Sequence, residues 1–365
     1  MAHSFLPPSG ASAWSRCALW PSMAQRYPEL DTVASLEGTA AHWVVTEPRK
    51  HTEGETTPHG VLVTAEMIEG AAMMWDMVTA RLNGNRNVHA ETPVSIPQIH
   101  PDCFGTPDIW AWDAEQRHLE IFDYKFGHGF VDEYFNLQGL LYALGILNSL
   151  NVVNVAYVSV AFTIVQPRCY HRGEPVRTHE YLITEATAYI EDLVAAAGEA
   201  YAPVPMAVTG SHCEHCAGRH ACPTLQRAAY SAAEFADRRQ PFDLEPAAAA
   251  LELRMLENAL AKLEARVESL RELTLVNIKR GANVPHYRAE AGKGRAAWNV
   301  PDEQIIAMGT MFGHNLSKTA VITPTQAKKL GIDEAVITAY SMNKSGSVKL
   351  IPQNNEDASR VFGRK

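Results

Sequence analysis

The sequence predicts an α/β fold with a mixed central sheet flanked by helices, and three observations support this class. Residues 105–125 contain two apolar runs, Ile109–Trp112 and Leu119–Phe122, joined by the turn-like stretch Asp113–His118, which indicates a β-hairpin. Apolar residues recur at helical spacing in several segments, and the segment Asn151–Gln166 is rich in residues that favour β-strands. Helices are predicted at Ser35–Val45, Thr64–Asn83, Glu133–Asn148 and Tyr181–Ala200, and a further strand at Asn151–Gln166. Val88–Ile99 predicts a strand interrupted at Pro93 and Pro97, which indicates an edge or bent strand.

Composition places the chain among ordinary globular proteins. Its 365 residues are 46% hydrophobic, which is enough to bury a sizeable core. No stretch approaches the roughly 18 uncharged apolar residues of a membrane span, and the N-terminus lacks the basic and apolar regions of a signal peptide. We therefore expect a cytoplasmic protein without a membrane partner.

The charge is uneven along the chain. The net charge of −9 argues weakly against a nucleic-acid partner. However, residues 279–365 carry 13 Lys and Arg against 7 Asp and Glu, whereas residues 1–278 carry 19 against 34. Any contact with a phosphate backbone is therefore expected mainly from the C-terminal part.

The hairpin carries two acids and a lysine that could work together. Asp108 precedes the first strand, and strand alternation puts Asp123 and Lys125 on one face. Two carboxylates suit a hard cation such as Mg²⁺ or Mn²⁺, and an ammonium group beside it could stabilise a phosphoryl transition state. The alternative is a plain hairpin with solvated charges at its ends.

Two helices offer further polar side chains. His42 projects from the predicted helix Ser35–Val45, and a neutral imidazole can ligate Mn²⁺. Gln138 and Tyr142 are four residues apart and share a helix face, where they could contact a phosphate or a catalytic group. Each also has a simpler interpretation, as a core or surface histidine and as residues at the border of an amphipathic helix.

The order of these residues resembles the RecB-like branch of the PD-(D/E)xK nucleases, which have a restriction-endonuclease-like core. The matching elements are Gly38-Thr-x-x-His42, Gly105-Thr-x-Asp108, Asp123-x-Lys125 and Gln138-x-x-x-Tyr142. The resemblance implies that a metal is ligated by His42, Asp108, Asp123 and the Tyr124 carbonyl. It also implies that Lys125 is the catalytic lysine, and that Gln138 and Tyr142 are accessory contacts to the DNA strand.

The cysteines extend the resemblance. Cys213-x2-Cys216-x5-Cys222 has a metal-binding spacing, and Cys17 lies far upstream. This resembles the nucleases of the AddB type and the CRISPR-associated RecB-like exonucleases, in which one early and three late cysteines hold a [4Fe–4S] cluster and fasten a helical region to the core. A structural Zn²⁺ held by Cys213, Cys216, His220 and Cys222 is the alternative. Cys103 and Cys169 are expected to be buried apolar residues.

The domain organisation follows from the same elements. We predict a nuclease core with the cysteine cluster at 1–240, a long helix within 241–281, and a small basic C-terminal extension at 282–365. The long helix, Pro246–Arg280, carries Leu256, Leu260, Leu263, Val267 and Leu270 in alternating steps of four and three residues. Such a stripe serves either core packing or dimerisation. The segment Gly292–Trp298 is suited to phosphate contact and base stacking, or is a solvated loop.

The sequence thus predicts a Mg²⁺- or Mn²⁺-dependent DNA nuclease, specifically an exonuclease in phage recombination or DNA processing. Among RecB-like nucleases it most resembles those encoded by phages and prophages, which would place it in the cytoplasm of a bacterial host. Expected partners are DNA ends, a phage recombinase or single-strand-binding protein, and a second copy of the chain. The alternative is a catalytically silent DNA-binding or recombination-partner protein that keeps the nuclease fold.

Overall fold

The computed structural model describes most of the chain and divides it into two compact units, Met1–Arg266 and Val267–Lys365. The described residues are 4–27, 33–46, 50–82, 87–169, 174–236, 245–291, 296–298, 300–316, 324–329, 331–343 and 348–352. The predicted boundaries at 240 and 281 stay a prediction.

A mixed five-stranded sheet forms the centre of the first unit, in the order β1-β4-β5-β6-β7. Strands β5 and β6 are parallel, and the other neighbours in this sheet are antiparallel. A separate pair, β2 and β3, lies outside it. The strands are β1 (Val88–Ala90), β2 (Val94–Ser95), β3 (Phe104–Gly105), β4 (Ile109–Asp113), β5 (His118–Tyr124), β6 (Ser159–Val165) and β7 (Val176–Leu182).

Helices flank both faces of this sheet, so the predicted mixed sheet with flanking helices is confirmed. Those that contribute to the two cores on the sheet are α1 (Ala11–Trp14), α3 (Val33–Thr46), α4 (Ala65–Leu82), α5 (Leu137–Ser149) and α6 (Thr187–Ala200). Further helices are α2 (Trp20–Arg26), α7 (Pro223–Ala236) and α8 (Pro246–Lys279), and α8 spans the boundary between the two units. Since β5 and β6 are parallel, the chain must cross over between them, and α5 provides that crossover.

Strand β5 has apolar side chains on both faces, which explains its burial. Leu119 and Ile121 join the core formed with α1, α5 and α6, whereas Phe122 and Tyr124 join the core formed with α3 and α4. Asp123 is on the α5 side by the same alternation. The sheet therefore presents Asp123 to α5 at the end of a strand that is buried almost throughout.

The interrupted strand predicted at Val88–Ile99 is two short strands with different partners, β4 for β1 and β3 for β2, and β1 lies at the edge of the sheet as predicted. The predicted strand Asn151–Gln166 begins too early, because β6 starts at Ser159. The predicted helix Tyr181–Ala200 begins too early, because Tyr181 belongs to strand β7 and α6 starts at Thr187. The expected burial of Cys103 and Cys169 is confirmed.

Helix α8 matches the predicted long helix, but its leucine stripe is not packed into a core. Leu256, Leu260, Val267 and Leu270 are exposed. Dimerisation through this stripe stays a prediction.

The second unit contains small elements around its own core. Strands β8 (Tyr287–Ala291) and β11 (Val348–Pro352) pair antiparallel, as do β9 (Ala296–Trp298) and β10 (Ser341–Asn343). Residues 292–295 of the predicted phosphate-contact segment lie outside the described residues. The helices are α9 (Asp302–Met311), α10 (Pro324–Lys329) and α11 (Glu334–Tyr340).

None of the helices in the described part of the chain is both long and apolar enough to cross a membrane.

Candidate active site and cysteine site

The ends of β5 and α5 bring a carboxylate, an ammonium and an amide into one hydrogen-bonded group. Lys125 directly follows Tyr124 at the end of β5, and its Nζ lies 3.0 Å from Asp123 Oδ2. Gln138 bridges the two, because its Nε2 donates to Asp123 Oδ1 at 2.9 Å and its Oε1 accepts from Lys125 Nζ at 3.0 Å. Asp123 and Lys125 thus lie on one face, as strand alternation predicts.

Helix α5 fixes the position of Gln138. Its first turn is capped by Asn136, whose Oδ1 accepts from the N–H groups of Gln138 at 3.0 Å and Gly139 at 3.3 Å. One turn further on, the Tyr142 hydroxyl accepts from Gln138 Nε2 at 3.3 Å. The side-chain amide is therefore held by three neighbours, two of them charged.

Asp108 supplies a second carboxylate at the same edge of the sheet. Its Oδ2 accepts from the Tyr124 N–H at 2.7 Å, which ties the residue before β4 to the end of β5. His42 of α3 places Nδ1 3.3 Å from Asp108 Oδ1, and its ring lies edge-on to the Tyr124 ring. The structure therefore brings together side chains from four separate segments of the chain.

Burial and charge oppose each other at these groups. Burial alone would lower the pKa of His42, but Asp108 beside it raises that pKa. Burial favours the neutral acid at Asp108, yet His42 and the Tyr124 N–H lower its pKa. At Asp123, burial and the charge of Asp108 raise the pKa in spite of Lys125. The two carboxylates are thus unlike, Asp108 being the more readily ionised.

Lys125 remains an ammonium ion despite its surroundings. Burial works to lower its pKa, but the charges of Asp123 and Asp108 outweigh burial and raise it. The site therefore holds one fixed positive charge between carboxylates.

The donor atoms suit a hard divalent cation. His42, Asp108 and Asp123 offer the nitrogen and oxygen atoms that Mg²⁺ or Mn²⁺ accepts. Asp123 Oδ2 is buried and makes no aligned hydrogen bond, its neighbour being the Lys125 ion pair. Among the described residues, no three His, Cys, Asp or Glu side chains already stand where they could hold a metal ion together. The set fits such an ion in its chemistry, and binding requires side-chain movement. The Tyr124 carbonyl as a ligand stays a prediction.

Sequence reasoning missed Glu91, which follows β1. Ala90 pairs with Ile109, so Glu91 stands opposite Asp108, and its N–H donates to the Asp108 carbonyl at 3.0 Å. Burial and the charge of Asp108 raise the pKa of the Glu91 carboxyl. The antiparallel register of β1 against β4 is the signal that could have revealed this third acid.

The four cysteines singled out by the sequence line one cavity. Cys17 lies in the turn between α1 and α2, and the three late cysteines lie in the loop of short 3-10 turns before α7. The cavity has a volume of about 20 Å³. The early cysteine and the three late cysteines therefore share one site, although they are far apart in the sequence.

The thiols around this cavity are buried or half-buried. The Gly210 N–H donates to Cys213 Sγ at 3.5 Å. Burial, reinforced by the neighbouring thiols, raises the pKa of Cys216 to about 11, so that ligation by this thiolate would release a proton. The His220 ring instead packs against the Tyr27 ring at 4.7 Å and is not among the described residues lining the cavity.

Comparisons with known proteins give one extensive match. A family model described as "Protein of unknown function (DUF2800)" matches residues 3–356. No curated protein matches the sequence. A crystal structure from Eubacterium rectale, described as a "Putative exonuclease", is similar with a TM-score of 0.35 and 9% identity, over 66% of this chain and 91% of that chain. A likeness with this TM-score carries no argument about fold or activity.

Proposed function

The chain belongs to the DUF2800 family, whose function is unknown, and we propose that it is a divalent-metal-dependent deoxyribonuclease. The proposal extends to an exonuclease that acts at DNA ends in phage recombination or DNA processing. Its support comes from the chemistry of the site and from the resemblance of the motifs.

One observation carries the proposal. Lys125, Asp123 and Gln138 form a closed hydrogen-bonded group at the end of a buried strand, and Asp108 with His42 lies at the same edge. A buried ion pair of this kind contributes little to stability, because desolvation offsets its attraction. Such charges serve phosphodiester cleavage, because the carboxylates can hold a divalent cation and the ammonium can stabilise the negative charge of the transition state.

Each residue has a separate role. A divalent cation held by His42, Asp108 and Asp123 would supply Lewis-acid polarisation of the scissile phosphate. Lys125 donates hydrogen bonds to the phosphate oxygens as their negative charge grows. Gln138 keeps the ammonium and the Asp123 carboxylate at a fixed separation, and Tyr142 supports Gln138 from the next helical turn.

The alternative function is a catalytically silent DNA-binding or recombination-partner protein with the same fold. Such a protein needs phosphate contacts on its surface, and it does not need a lysine largely buried between two acids. Partnership with a recombinase or a single-strand-binding protein is compatible with either function.

Cleavage of end-labelled DNA tests the proposal. Single- and double-stranded substrates are incubated with Mn²⁺ or Mg²⁺, with EDTA as the control. We expect the wild-type chain to shorten the DNA from its ends, and Asp108→Asn and Asp123→Asn to lose this activity by about a hundredfold or more. A wild-type chain without cleavage, or two variants that both retain it, would overturn the nuclease assignment.

For the cysteine site we propose a [4Fe–4S] cluster bound by Cys17, Cys213, Cys216 and Cys222. The convergence of these thiols on one cavity supports four sulfur ligands. The alternative is a single Zn²⁺, for which His220 would replace Cys17.

Anaerobic purification separates the two cofactors. The cluster gives a brown protein with broad absorption near ~400 nm and bound iron. A colourless protein with one stoichiometric zinc would establish the alternative.

A further inference from the structure

The segment between β5 and α5 leaves two aromatic side chains in solvent. We call residues 127–135 the aromatic loop, since Phe130 is 40% exposed and Tyr134 is 62% exposed. The loop begins two residues after Lys125 and ends three residues before Gln138, so it joins the two elements that build the candidate active site. Large exposed aromatic side chains beside such a site point to a ligand with flat apolar faces.

Buried polar side chains hold the backbone of the aromatic loop. Gln166, at the end of β6, is fully buried, and its Nε2 donates to the carbonyls of Gly127 at 2.9 Å and Gly129 at 2.6 Å. Its Oε1 accepts from the Val131 N–H at 3.4 Å and from Arg177 Nη2 at 3.0 Å. The loop therefore crosses the ends of β5 and β6 in a fixed position, and its exposed rings are pre-organised.

Arg177 fixes the second half of the loop. Its Nη2 also donates to the Val131 carbonyl at 2.7 Å, and its Nε lies 3.0 Å from Glu133 Oε2. This arginine is buried and its charge is matched by Glu133, so it is not a free cation for a phosphate. Arg177 therefore fixes the position of the aromatic loop and does not attract a phosphate.

Each exposed ring is supported from one side. The Arg177 guanidinium carbon lies 4.7 Å from the centre of the Phe130 ring. The Tyr134 ring lies 4.5 Å from the His179 ring and packs edge-on against Phe135 at 4.8 Å. Rings supported in this way lose little conformational freedom when a ligand covers their remaining surface.

We propose that Phe130 and Tyr134 form a base-stacking platform that binds unpaired nucleobases on the loop that joins the two elements of the candidate active site. This proposal rests on the proposed nuclease function and names its substrate class, which is single-stranded DNA or a frayed end. Bases inside a duplex have both faces covered by neighbouring pairs, so only unpaired bases can stack on these rings. Because the loop carries Asp132 and Glu133, the platform acts through base faces and not through phosphate charge.

Binding measured without catalysis tests the platform. A fluorescein-labelled single-stranded oligonucleotide is titrated with the anaerobically purified full chain in EDTA, and anisotropy gives the Kd. A second oligonucleotide of the same length has abasic sites in place of its bases. The variants are Phe130→Ala/Tyr134→Ala and the matched control Tyr157→Ala, which removes an aromatic ring that is 76% exposed in the 3-10 turn before β6.

We expect the alanine variant to lose affinity only for the oligonucleotide that has bases. The wild-type chain binds the abasic oligonucleotide about tenfold more weakly than the intact one. Phe130→Ala/Tyr134→Ala weakens binding of the intact oligonucleotide by a similar factor and leaves binding of the abasic one unchanged. Tyr157→Ala behaves as the wild type, and Phe130→Tyr/Tyr134→Phe, which keeps both rings, retains the affinity.

Two outcomes would overturn the platform while the nuclease assignment stands. One is wild-type affinity in Phe130→Ala/Tyr134→Ala, and the other is an equal loss for intact and abasic oligonucleotides. A wild-type chain that binds neither oligonucleotide nor duplex would instead overturn the platform together with the proposed function. Phe130→Leu/Tyr134→Leu, which keeps apolar volume without a ring face, repeats the test if the alanine variant does not fold.

Discussion

At the scale of single residues, the side-chain amide of Gln138 decides how the charges at the end of β5 are arranged. Its oxygen accepts from Lys125 and its nitrogen donates to Asp123, so one planar group recognises both members of the ion pair. The sequence placed Gln138 and Tyr142 on one helix face. It could not show this bridge, because the contact depends on how α5 docks on the sheet.

Lys125→Ala should separate catalysis from metal binding. The variant loses the ammonium but keeps His42, Asp108 and Asp123, so we expect turnover to fall by about a hundredfold or more while Mn²⁺ still binds. Single-turnover cleavage and calorimetric titration with Mn²⁺ at pH 8 measure the two properties. A variant that no longer binds Mn²⁺ would contradict a role for Lys125 in the transition state alone.

At the scale of secondary-structure elements, hydrophobic patterns predicted the elements whose folding depends on neighbouring residues in the sequence. The hairpin β4–β5 was predictable because two apolar runs flank a polar turn. Strand β7 was not, because Arg177 occupies an inward position where the pattern requires an apolar residue. That arginine is accommodated by Gln166 and Glu133, which are distant in the sequence. Within Val88–Ile99, Pro93 and Pro97 predicted an interruption, but no local signal showed that the two parts pair with different strands.

Gly139→Ala should destabilise the protein through the contact of α5 with the sheet. A Cβ at Gly139 would lie 2.4 Å from a ring atom of Phe162, a buried residue of β6. Overpacking of this kind costs about 1–3 kcal/mol. The matched control is Gly198→Ala in α6, where a Cβ meets nothing within 4 Å and should stabilise the helix by roughly 0.5–1 kcal/mol. Chemical denaturation measures both, and equal effects would refute the packing argument.

The pairing of His118 with Glu120 on β5 should make stability depend on pH. Glu120 on β5 accepts from Arg81 of α4, and its hydrogen bond to His118 raises the pKa of that imidazole above 6.5. A raised pKa stabilises the fold below the unfolded pKa, and this contribution is lost as pH rises through the folded pKa.

His118→Gln tests that pH dependence. Between about pH 6 and pH 8, the melting temperature of the wild type should fall relative to that of the variant, because other histidines contribute equally to both proteins. Parallel pH profiles of the two melting temperatures would show that His118 is not responsible.

At the scale of the whole molecule, the first unit contains two separate candidate sites. The candidate active site lies where β5 meets α5, whereas the cysteine site joins the α1–α2 turn to the loop before α7. The first could be assembled from motif order, since each motif is short. The second depended on pairing Cys17 with residues near the other end of the unit, which spacing suggests only when the resemblance to iron–sulfur nucleases is considered.

A metal centre that includes Cys17 would close most of the first unit into one loop. In the sequence, 195 residues lie between Cys17 and Cys213. Closing a long loop removes the most conformational entropy from the unfolded chain, and metal binding is coupled to folding in the same way. A ligand at Cys17 should therefore matter for stability far from the active site.

The variant Cys17→Ala tests whether Cys17 is a metal ligand that closes this loop. If Cys17 is a ligand, the variant loses bound iron and melting temperature together, and cleavage falls only as the core loosens. Cys103→Ala is the matched control, because Cys103 is buried, lies outside the cysteine cavity and should lose stability without losing iron. A zinc site made by Cys213, Cys216, His220 and Cys222 predicts the reverse, with metal content and melting temperature unaffected by Cys17→Ala. Iron analysis and thermal denaturation of the anaerobically purified variants give both quantities, and unchanged values for Cys17→Ala would show that this cysteine is not a ligand.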